Sequence, residues 1–509
     1  MANLFSTPYD DLMVENPKTP DELIGEILDV YLRQRHTSSR EYAEARSMII
    51  NAYNYAKNAH EGQKRKSEEP YITHPVRAAH IIASRGADYK SIAGELLHDT
   101  VEESNGTLTV KDIYQAFKDP EIAALVYGMT KTPNVSFANN TTSFLEKAGT
   151  LIRLIEVKLG DNTHNCQTYG YFKKPEKRQK QATESLTTYV PMAEQTGAYD
   201  IMYALQDMSF RHINEGMYDT VRDSMKESLA ANEEIIEVML KSFSTILRES
   251  GAKGDVAFSR RGIYELFSLS GFDVNYRGIP NSNITLAPYD WVFKVVSEDE
   301  KTFYDLLGKI NSNYPHERTI LDYLGENRKS TGFESLITNL RINGIDSQHI
   351  ASCQIRTPRM DRVARYGMYS LFDTSDELRE HAINNVPALA DLKLRGIKTM
   401  DTLLGPHIYV RTNDGDPIIL PVGATSVDAS IYIHTGITLA ATSAIIDGKK
   451  QALNMPLRDG CTLYINQAPA GTEVNYGLLE QAATTTAAHK VLRRLKNHGK
   501  THVPSKQSS

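Results

Sequence analysis

Four residues in the first half of the chain are of the types that hold divalent cations. They stand in three short segments far apart in the sequence: ITHPV with His74, LLHDT with His98 and Asp99, and LGDNT with Asp161. Two imidazoles and two carboxylates can bind one cation and leave coordination positions open, a mixed set that suits Mn²⁺, Fe²⁺ or Zn²⁺. Mg²⁺ and Ca²⁺ favour oxygen ligands alone. The segments therefore predict a metal-dependent hydrolase.

Further polar residues accompany these four at helical spacing. If one helix runs through ELLHDTVEES, His98 shares a face with Glu102, and Asp99 shares a face with Glu103. A polar stripe that faces a core needs polar partners. Taken singly, each histidine also has a structural interpretation and each acid a solvated one, whereas the adjacent His98-Asp99 pair is a more specific sign of a metal site. A later helix carries such a stripe at i, i+4 and i+7: Asp161, Asn165 and Thr168.

The chain of 509 residues is too long for one hydrophobic core, and roughly three domains are expected. Apolar residues three and four apart predict helices first, and a mixed region follows. HIYVRTNDGDPIILPVGAT, DASIYIHTG, SAIIDGKKQALN and RDGCTLYIN then form a β-rich module bounded by turn residues. The predicted domains are all-α at 1–228, α+β at 229–385 and β-rich at 400–470, with a C-terminal helix and polar tail at 471–509.

Composition narrows the functional class. The net charge of −6 argues against non-specific nucleic-acid binding by the whole chain. The N-terminal sequence has neither a basic start nor an apolar run, and no stretch approaches the roughly 18 apolar residues of a membrane helix, so no membrane association is expected. Cys166, Cys353 and Cys461 lack metal-site spacing, which favours a reducing, cytoplasmic location. None of these features determines the oligomeric state.

The three metal segments resemble the motifs of one known hydrolase domain. QKRKSEEPYITHPVRAA, ELLHDTVEES and VKLGDNTHNCQT are similar to the patterns RKSGEPYxxHP, LLHDxxED and KLADRLHNMRT of the RelA/SpoT family of alarmone enzymes. ATESLTTYVPMAEQTGAYDIMYALQDMSF is similar to the family segment ETLxIYAPLAxRLG…ELEDLxF. The resemblance covers most of residues 35 to 220 and implies an all-α, HD-type hydrolase domain.

The resemblance also implies a role for each matched residue. It implies removal of the 3′-pyrophosphate from guanosine tetra- or pentaphosphate, ppGpp or pppGpp, with one Mn²⁺ ion as the expected cofactor. The implied metal ligands are His74, His98, Asp99 and Asp161; the acidic pair that orients the attacking water is Glu102 and Glu103; and the nucleotide contacts are Arg65, Lys66, Asn165 and Thr168.

Several departures from the family pattern lie close to these residues, three of them in the loop of Arg65, beside Asp161 and in the acidic pair. Glu68 replaces a glycine, Gly160 replaces an alanine, and Glu103 stands where aspartate is usual. Glu103 is one methylene longer, which bears on the geometry of the acidic pair. None of the three changes removes a metal ligand, so an active hydrolase site is expected.

The middle region resembles the synthetase domain of the same family. DYLGENRKSTGFESLIT and CQIRTPRMDRVARYGMYSLFD are similar to DYIxxPKxNGYQSLHT and EVQIRTxxM…AExGxAAHW, which implies an α+β, nucleotidyltransferase-like fold. Pyrophosphate transfer from ATP needs a Mg²⁺ ligand and cations around the triphosphate. We therefore expect a degenerate, inactive pseudo-synthetase. The family's glutamate, histidine, guanine-stacking tyrosine, arginine and lysine are replaced here by Ser352, Ile337, Phe333, Val256 and Phe258, and only Asp290, slightly out of register, stands near the metal-binding aspartate.

The β-rich module resembles a TGS domain, which has a β-grasp fold. TGS modules of the family can contact tRNA on the ribosome, so His434 of IYIHT is a candidate contact. A histidine that caps a local turn is an equally weighted alternative. The sequence contains no cysteine cluster of the kind a zinc finger needs, which argues against ribosome-coupled sensing.

Two other functions stay open at this point. The chain is a candidate non-enzymatic regulator that senses alarmone, or a hydrolase of related 3′-phosphorylated nucleotides such as (p)ppApp or NADPH. The complete water-activating set favours a hydrolase over a sensor. Selection of the base depends on the shape of the pocket, which the sequence does not reveal.

Overall fold

The chain forms two compact units, Met1–Val386 and Pro387–Ser509. The computed structural model describes residues 5–34, 39–130, 148–270, 291–329, 331–342, 349–371, 407–412, 417–421, 423–433, 441–458 and 460–467. Within these ranges, every helix is too short or too polar to cross a lipid bilayer. The predicted C-terminal helix and tail at 471–509 lie outside the described residues.

The first part of unit one is all-α, as the spacing of its apolar residues predicts. One hydrophobic core lies between its first six helices. The long helix α7 packs against α3, α4 and α6, so its side chains reach the same interior as theirs. The helices are α1 (Pro20–Gln34), α2 (Ser39–Ala59), α3 (Thr73–Ala83), α4 (Tyr89–Leu97), α5 (Val110–Phe117), α6 (Pro120–Met129), α7 (Ala148–Gln167), α8 (Pro175–Glu184), α9 (Val190–Thr196), α10 (Tyr199–Ile213), α11 (Glu215–Ala231) and α12 (Glu233–Glu249).

The second part of unit one is a five-stranded mixed sheet in the order β1-β2-β5-β4-β3. Strands β2 and β5 are parallel, and the other neighbours are antiparallel. Phe243 of α12 meets Phe293 of β2 edge to face at 5.2 Å, so α12 packs against this sheet. The elements are β1 (Gly254–Arg260), α13 (Ile263–Leu269), β2 (Trp291–Ser297), α14 (Phe303–Asn313), β3 (His316–Asp322), β4 (Leu336–Arg341), β5 (Ile350–Arg356) and α15 (Pro358–Tyr366).

The helical and sheet parts of unit one are in direct contact. The buried carboxylate of Asp207, on α10, accepts hydrogen bonds from the backbone N–H groups of Ile263 at 3.2 Å and Tyr264 at 2.8 Å. Gly367, just after α15, meets Gly197 so closely that a Cβ atom on Gly367 would lie 2.3 Å from the Gly197 carbonyl carbon. The φ angle of Gly367 is +64°, which also favours glycine.

Unit two is a small mixed sheet with one described helix, in agreement with the β-grasp expectation. The strands are ordered β7-β6-β10-β8-β9. DASIYI, which the sequence groups with the β segments, belongs to a helix, because the Thr425 N–H and hydroxyl both donate to Asp428 Oδ2 at 2.7 Å and cap it. The elements are β6 (His407–Thr412), β7 (Pro417–Pro421), α16 (Ser426–Ile433), β8 (Ala441–Ile446), β9 (Lys449–Gln451) and β10 (Thr462–Gln467).

Candidate functional site

Three helices of unit one bring the predicted metal ligands together. His74 lies in the first turn of α3, where Pro75 is tolerated because early helical N–H groups have no intrahelical partner. His98 and Asp99 directly follow the last residue of α4, and Asp161 lies in the second half of α7. Because α7 packs against both α3 and α4, residues up to 87 positions apart in the sequence meet at one point.

The helix α4 ends at Leu97, so the predicted single helix through ELLHDTVEES is wrong. The His98 ring approaches the backbone oxygen of Glu95 at 2.6 Å, and the Thr100 hydroxyl donates to that of Leu97 at 2.6 Å. These side chains occupy carbonyl groups that the next helical N–H groups would otherwise use. One helical spacing nevertheless remains, because the Glu103 N–H donates to the Asp99 backbone oxygen at 2.9 Å. Glu102 and Glu103 lie instead in a separate 3₁₀ turn, Glu102–Ser104.

Four donor atoms converge in this pocket. His74 Nε2 lies 3.1 Å from Asp161 Oδ1 and 3.5 Å from Asp99 Oδ2. His98 Nε2 lies 3.2 Å from Asp99 Oδ2 and 3.7 Å from Asp161 Oδ1. One ligand atom each from His74, His98 and Asp161 fall within 4.8 Å of one another, a spacing that one metal ion can bridge. The two imidazoles are almost fully buried.

The hydrogen bonding of His98 indicates what this pocket lacks. Its Nδ1 lies 2.6 Å from a carbonyl oxygen, which accepts only from a protonated nitrogen. In a neutral imidazole the buried Nε2 then carries a lone pair, and within the described residues it has no hydrogen-bond partner. It faces two carboxylates, and lone pairs that converge away from water repel each other. A divalent cation relieves this repulsion, so the donor set fits a metal ion.

The same two carboxylates favour a proton on His98 when no cation is bound, so a metal ion would have to displace that proton. Burial lowers the pKa of His98, but Asp99 and Asp161 outweigh burial and hold that pKa well above its ordinary value. Burial also opposes ionisation of Asp99, yet His98 and His74 keep the pKa of Asp99 below its ordinary range. Burial lowers the pKa of His74, and the positive charge of Arg65 lowers it further. The pocket thus combines ionised carboxylate with strong demand for positive charge.

The predicted nucleotide contacts lie at one edge of this pocket. The guanidinium of Arg65 approaches the Asn165 side-chain oxygen at 3.3 Å and the Thr168 hydroxyl at 3.5 Å. The Asn165 amide donates to Asp161 Oδ1 at 2.7 Å, so these two residues of the predicted stripe share a face of α7 and join the metal pocket. Thr168, the third residue of the stripe, lies just after the helix ends at Gln167. The ammonium of Lys66 lies 3.9 Å from the centre of the Phe172 ring.

The backbone of the loop that carries Arg65 and Lys66 shows why the family pattern has a glycine at position 68. Glu68, which replaces that glycine, has φ of +67°. This left-handed conformation costs a side-chain-bearing residue about 1–2 kcal/mol. The loop keeps it because the Arg65 N–H donates to the Glu69 oxygen at 2.9 Å, which closes the turn before α3.

Sequence reasoning missed three groups at this site, two that contact a predicted ligand and one that lies behind them. The Tyr71 hydroxyl donates to Asp99 Oδ2 at 2.8 Å. His164 places its Nδ1 2.7 Å from Nδ1 of His74, and its Nε2 lies 3.4 Å from Glu15 Oε1. The spacing of His164 three residues after Asp161 was a usable signal, since i and i+3 share a helix face. Nothing in the sequence pointed to Glu15, which lies far upstream in a segment without periodicity.

The replaced synthetase positions lie in or beside the sheet of the first unit. Ser352 is buried on β5, Ile337 lies on β4, and Val256 lies on β1. The Phe258 ring packs against Phe293 at 5.2 Å. Phe333 packs against Tyr199 of α10 with ring centres 6.1 Å apart. Asp290 and His434 lie outside the described residues.

Two family models match the chain. A model described as HD domain matches residues 52–199, and one described as TGS domain matches residues 408–466. The first range contains His74, His98, Asp99 and Asp161, and the second spans the sheet of unit two.

The chain is also similar to named proteins over most of its length. It is 30% identical over 469 residues to the bifunctional (p)ppGpp synthase/hydrolase SpoT of Escherichia coli (strain K12), covering 88% of this chain and 64% of the relative. It is 28% identical to the guanosine-3′,5′-bis(diphosphate) 3′-pyrophosphohydrolase of Borreliella burgdorferi, covering 81% and 63%. It is 28% identical to the GTP pyrophosphokinase rsh of Brucella melitensis, covering 88% and 61%.

The chain thus spans slightly less than two thirds of the length of these relatives. The matched order is an HD domain, then a mixed sheet, then a TGS domain. This order and the similarity to these relatives support assignment of the chain to the RelA/SpoT homologue family.

Proposed function

We propose that the chain hydrolyses ppGpp and pppGpp at the 3′-pyrophosphate, with Mn²⁺ held by His74, His98, Asp99 and Asp161. The observation that carries this proposal is the convergence of two buried imidazole nitrogens with two carboxylate oxygens at 3.1–3.7 Å. The name of the Borreliella relative, a guanosine-3′,5′-bis(diphosphate) 3′-pyrophosphohydrolase, supports the choice of substrate. The mixed nitrogen and oxygen donor set supports Mn²⁺ over Mg²⁺.

The chemistry of this reaction divides between the ion and the protein. A divalent ion in such a site supplies Lewis acidity toward water and phosphoryl oxygens. We assign proton acceptance from the attacking water to Glu102, with Glu103 as its neighbour in the same 3₁₀ turn. The water oxygen adds to the phosphorus attached to O3′ as its proton passes to Glu102, the P–O3′ bond breaks, and the leaving O3′ takes up a proton to become the 3′-hydroxyl. The products are GDP or GTP and pyrophosphate.

Arg65 and Lys66 are assigned to the nucleotide. Asn165 and Thr168 hold the Arg65 guanidinium at the rim of the metal pocket, so little conformational entropy is lost when an anion binds. The Lys66 ammonium lies over an aromatic ring, and we assign it to the phosphate oxygens of the substrate. These cations would offset the charge of a substrate that carries two diphosphate groups.

The sheet part is proposed to be an inactive synthetase. Ser352 offers a neutral hydroxyl inside the sheet where the resemblance implies a metal-binding glutamate. Phe333, at the position of the guanine-stacking tyrosine, is buried against Tyr199 of the helical part. A base that stacked there would have to displace this packing. The domain then serves as a structural partner of the hydrolase.

The test is turnover of a panel of nucleotides by the purified chain with Mn²⁺. ppGpp, pppGpp, ppApp and NADPH are incubated separately, and the products are separated by anion-exchange chromatography. We expect GDP or GTP and pyrophosphate from the first two. Binding of ppGpp without turnover by a metal-loaded chain would instead favour a sensor, and faster turnover of ppApp or NADPH would change the substrate assignment.

Two substitutions separate metal binding from proton transfer. Asp99→Ala should lose both Mn²⁺ and activity. Glu102→Gln should keep Mn²⁺, measured by elemental analysis, and lose turnover by roughly 10²-fold or more, as expected for a general base. Glu44→Gln, an exposed glutamate on α2, is the matched control and should leave both unchanged. Full activity of metal-loaded Glu102→Gln would refute the role given to Glu102.

A further inference from the structure

The imidazole of His164 is buried directly behind the predicted ligand His74. Its relative exposure is 0%, and that of His74 is 2%. The two Nδ1 atoms face each other at 2.7 Å, with ring centres 4.9 Å apart. Two facing nitrogens at this distance share one hydrogen bond, so one of them must carry the proton and the other the lone pair.

The opposite side of His164 decides which nitrogen carries that proton. His164 Nε2 lies 3.4 Å from Glu15 Oε1, and a carboxylate accepts but does not donate. In a neutral imidazole with its proton on Nε2, the Nδ1 atom of His164 is the acceptor. His74 must then hold its own proton on Nδ1, which leaves His74 Nε2 with a lone pair toward Asp161 and Asp99. This is the tautomer that a metal ligand needs.

Glu15 is itself held in place. Arg77, 8% exposed, donates to Glu15 Oε1 at 2.7 Å and to the two oxygens of Glu69 at 3.0 Å each. The nearby His164 imidazole, with the help of Arg77, keeps the pKa of Glu15 below its ordinary value although burial opposes this. The carboxylate therefore stays ionised and directed at His164.

The segment before Glu15 is anchored as well. Leu12 is 1% exposed, and its backbone oxygen accepts a hydrogen bond from the Gln167 amide at 3.0 Å. Asp11 pairs with the buried Arg85 at 3.2 Å. Glu15 therefore lies next to His164 on a segment whose position is fixed by these contacts.

We propose that Glu15 is a positioning residue of the metal site, which acts through His164 to fix the tautomer and orientation of the ligand His74. The inference rests on the metal site of the proposed function but not on the identity of its substrate. Partners that orient a ligating histidine typically change metal affinity by about 10–100-fold when they are removed.

The test is Mn²⁺ binding to the metal-free, full-length chain without any nucleotide, by calorimetric titration and by the loss of the free Mn²⁺ signal in electron paramagnetic resonance. Glu15→Ala should weaken Mn²⁺ binding by about 10–100-fold. Glu15→Gln keeps an oxygen acceptor for His164 Nε2–H and should retain most of the affinity. Asp11→Ala is the matched control, because it loosens the same segment without touching His164, and it should change the affinity by less than about 3-fold.

Several outcomes would overturn the inference. Unchanged Mn²⁺ affinity of the Glu15→Ala protein would overturn it. Equal loss of Mn²⁺ affinity in Glu15→Ala and Glu15→Gln would also overturn it, since an oxygen acceptor for the His164 proton would then not matter. Equal weakening by Asp11→Ala would reduce Glu15 to a structural contact. A wild-type chain that binds none of Mn²⁺, Fe²⁺ and Zn²⁺ would remove the metal site itself. Failure to hydrolyse ppGpp would bear on the proposed function only, because no substrate enters these measurements.

Discussion

Replacing Gly160 by alanine should destabilise the helical part of the chain, although alanine is the better helix former. A Cβ atom built on Gly160 would lie 2.6 Å from Ile82 Cγ2, 2.9 Å from Glu95 Oε2 and 3.3 Å from the Ala78 backbone oxygen. Ile82 is 1% exposed and Glu95 is 0% exposed, so neither has free space into which to move. Gly160 therefore gives room to the buried Glu95 carboxylate beside the metal pocket.

The net effect follows from two opposing contributions. Overpacking a filled core costs about 1–3 kcal/mol. The higher helix propensity of alanine offsets about 1 kcal/mol of this. We expect Gly160→Ala to lower the free energy of unfolding by up to about 2 kcal/mol. For a domain of roughly 150–250 residues, each kcal/mol lost lowers the unfolding temperature by roughly 2–4 °C.

Glu95→Ala provides the companion substitution. Neither oxygen of the Glu95 carboxyl group has a hydrogen-bond partner in the part of the chain that the structure describes. Without this side chain, Ile82 can shift into the vacated space and admit a methyl group at position 160. Gly160→Ala should then be neutral or stabilising in the Glu95→Ala background, with a coupling energy of about 0.5–3 kcal/mol, as found for residues in contact.

The assay is a double-substitution cycle, with thermal unfolding of the four metal-free proteins followed by calorimetry. Gly25→Ala is the matched control, because Gly25 lies within α1 and a Cβ atom there meets nothing within 4 Å. It should stabilise the chain by up to about 1 kcal/mol. Additive effects of Gly160→Ala and Glu95→Ala, or stabilisation by Gly160→Ala in the wild-type background, would refute the steric argument.

Two further predictions concern the sheet part and its contact with the helices. The Asp99→Ala protein, incubated with ATP, Mg²⁺ and GDP or GTP, should give no ppGpp or pppGpp on chromatography. Adding Ser352→Glu should not restore synthesis, because the cationic substrate residues are missing too. Accumulation of either product would contradict this prediction. Burial raises the pKa of Glu194 to about 7, although Lys329 opposes the shift. The stabilisation by the protonated Glu194 carboxyl group is therefore complete below its ordinary pKa of 4.5 and is lost as the pH rises through 7. Relative to Glu194→Gln, the wild type should lose up to about 3 kcal/mol of unfolding free energy between pH 4.5 and pH 7.5, measured by urea denaturation, and parallel pH profiles would show that this carboxyl group does not titrate as stated.

The sequence by itself determined the kinds of residue at the metal site and most of the elements that carry them. Apolar periodicity is a local property, so the helix around Asp161 and the strands of WVFKVV and CQIRT were predictable from neighbouring residues alone. The polar stripe of α7 was predictable for the same reason, and Asn165 does bond to Asp161. The resemblance added the pairing of His74 with His98 and Asp99, which periodicity does not contain.

Tertiary structure decided what depends on groups distant in sequence or on competition between hydrogen bonds. The end of α4 at Leu97 arises because side chains of His98 and Thr100 take backbone oxygens, an outcome that the apolar pattern does not encode. Glu15 meets His164 across 149 positions of sequence. Gly160 meets Glu95 across 65 positions, because α7 packs against α3 and α4. Contacts of this kind follow from packing, which no local pattern specifies.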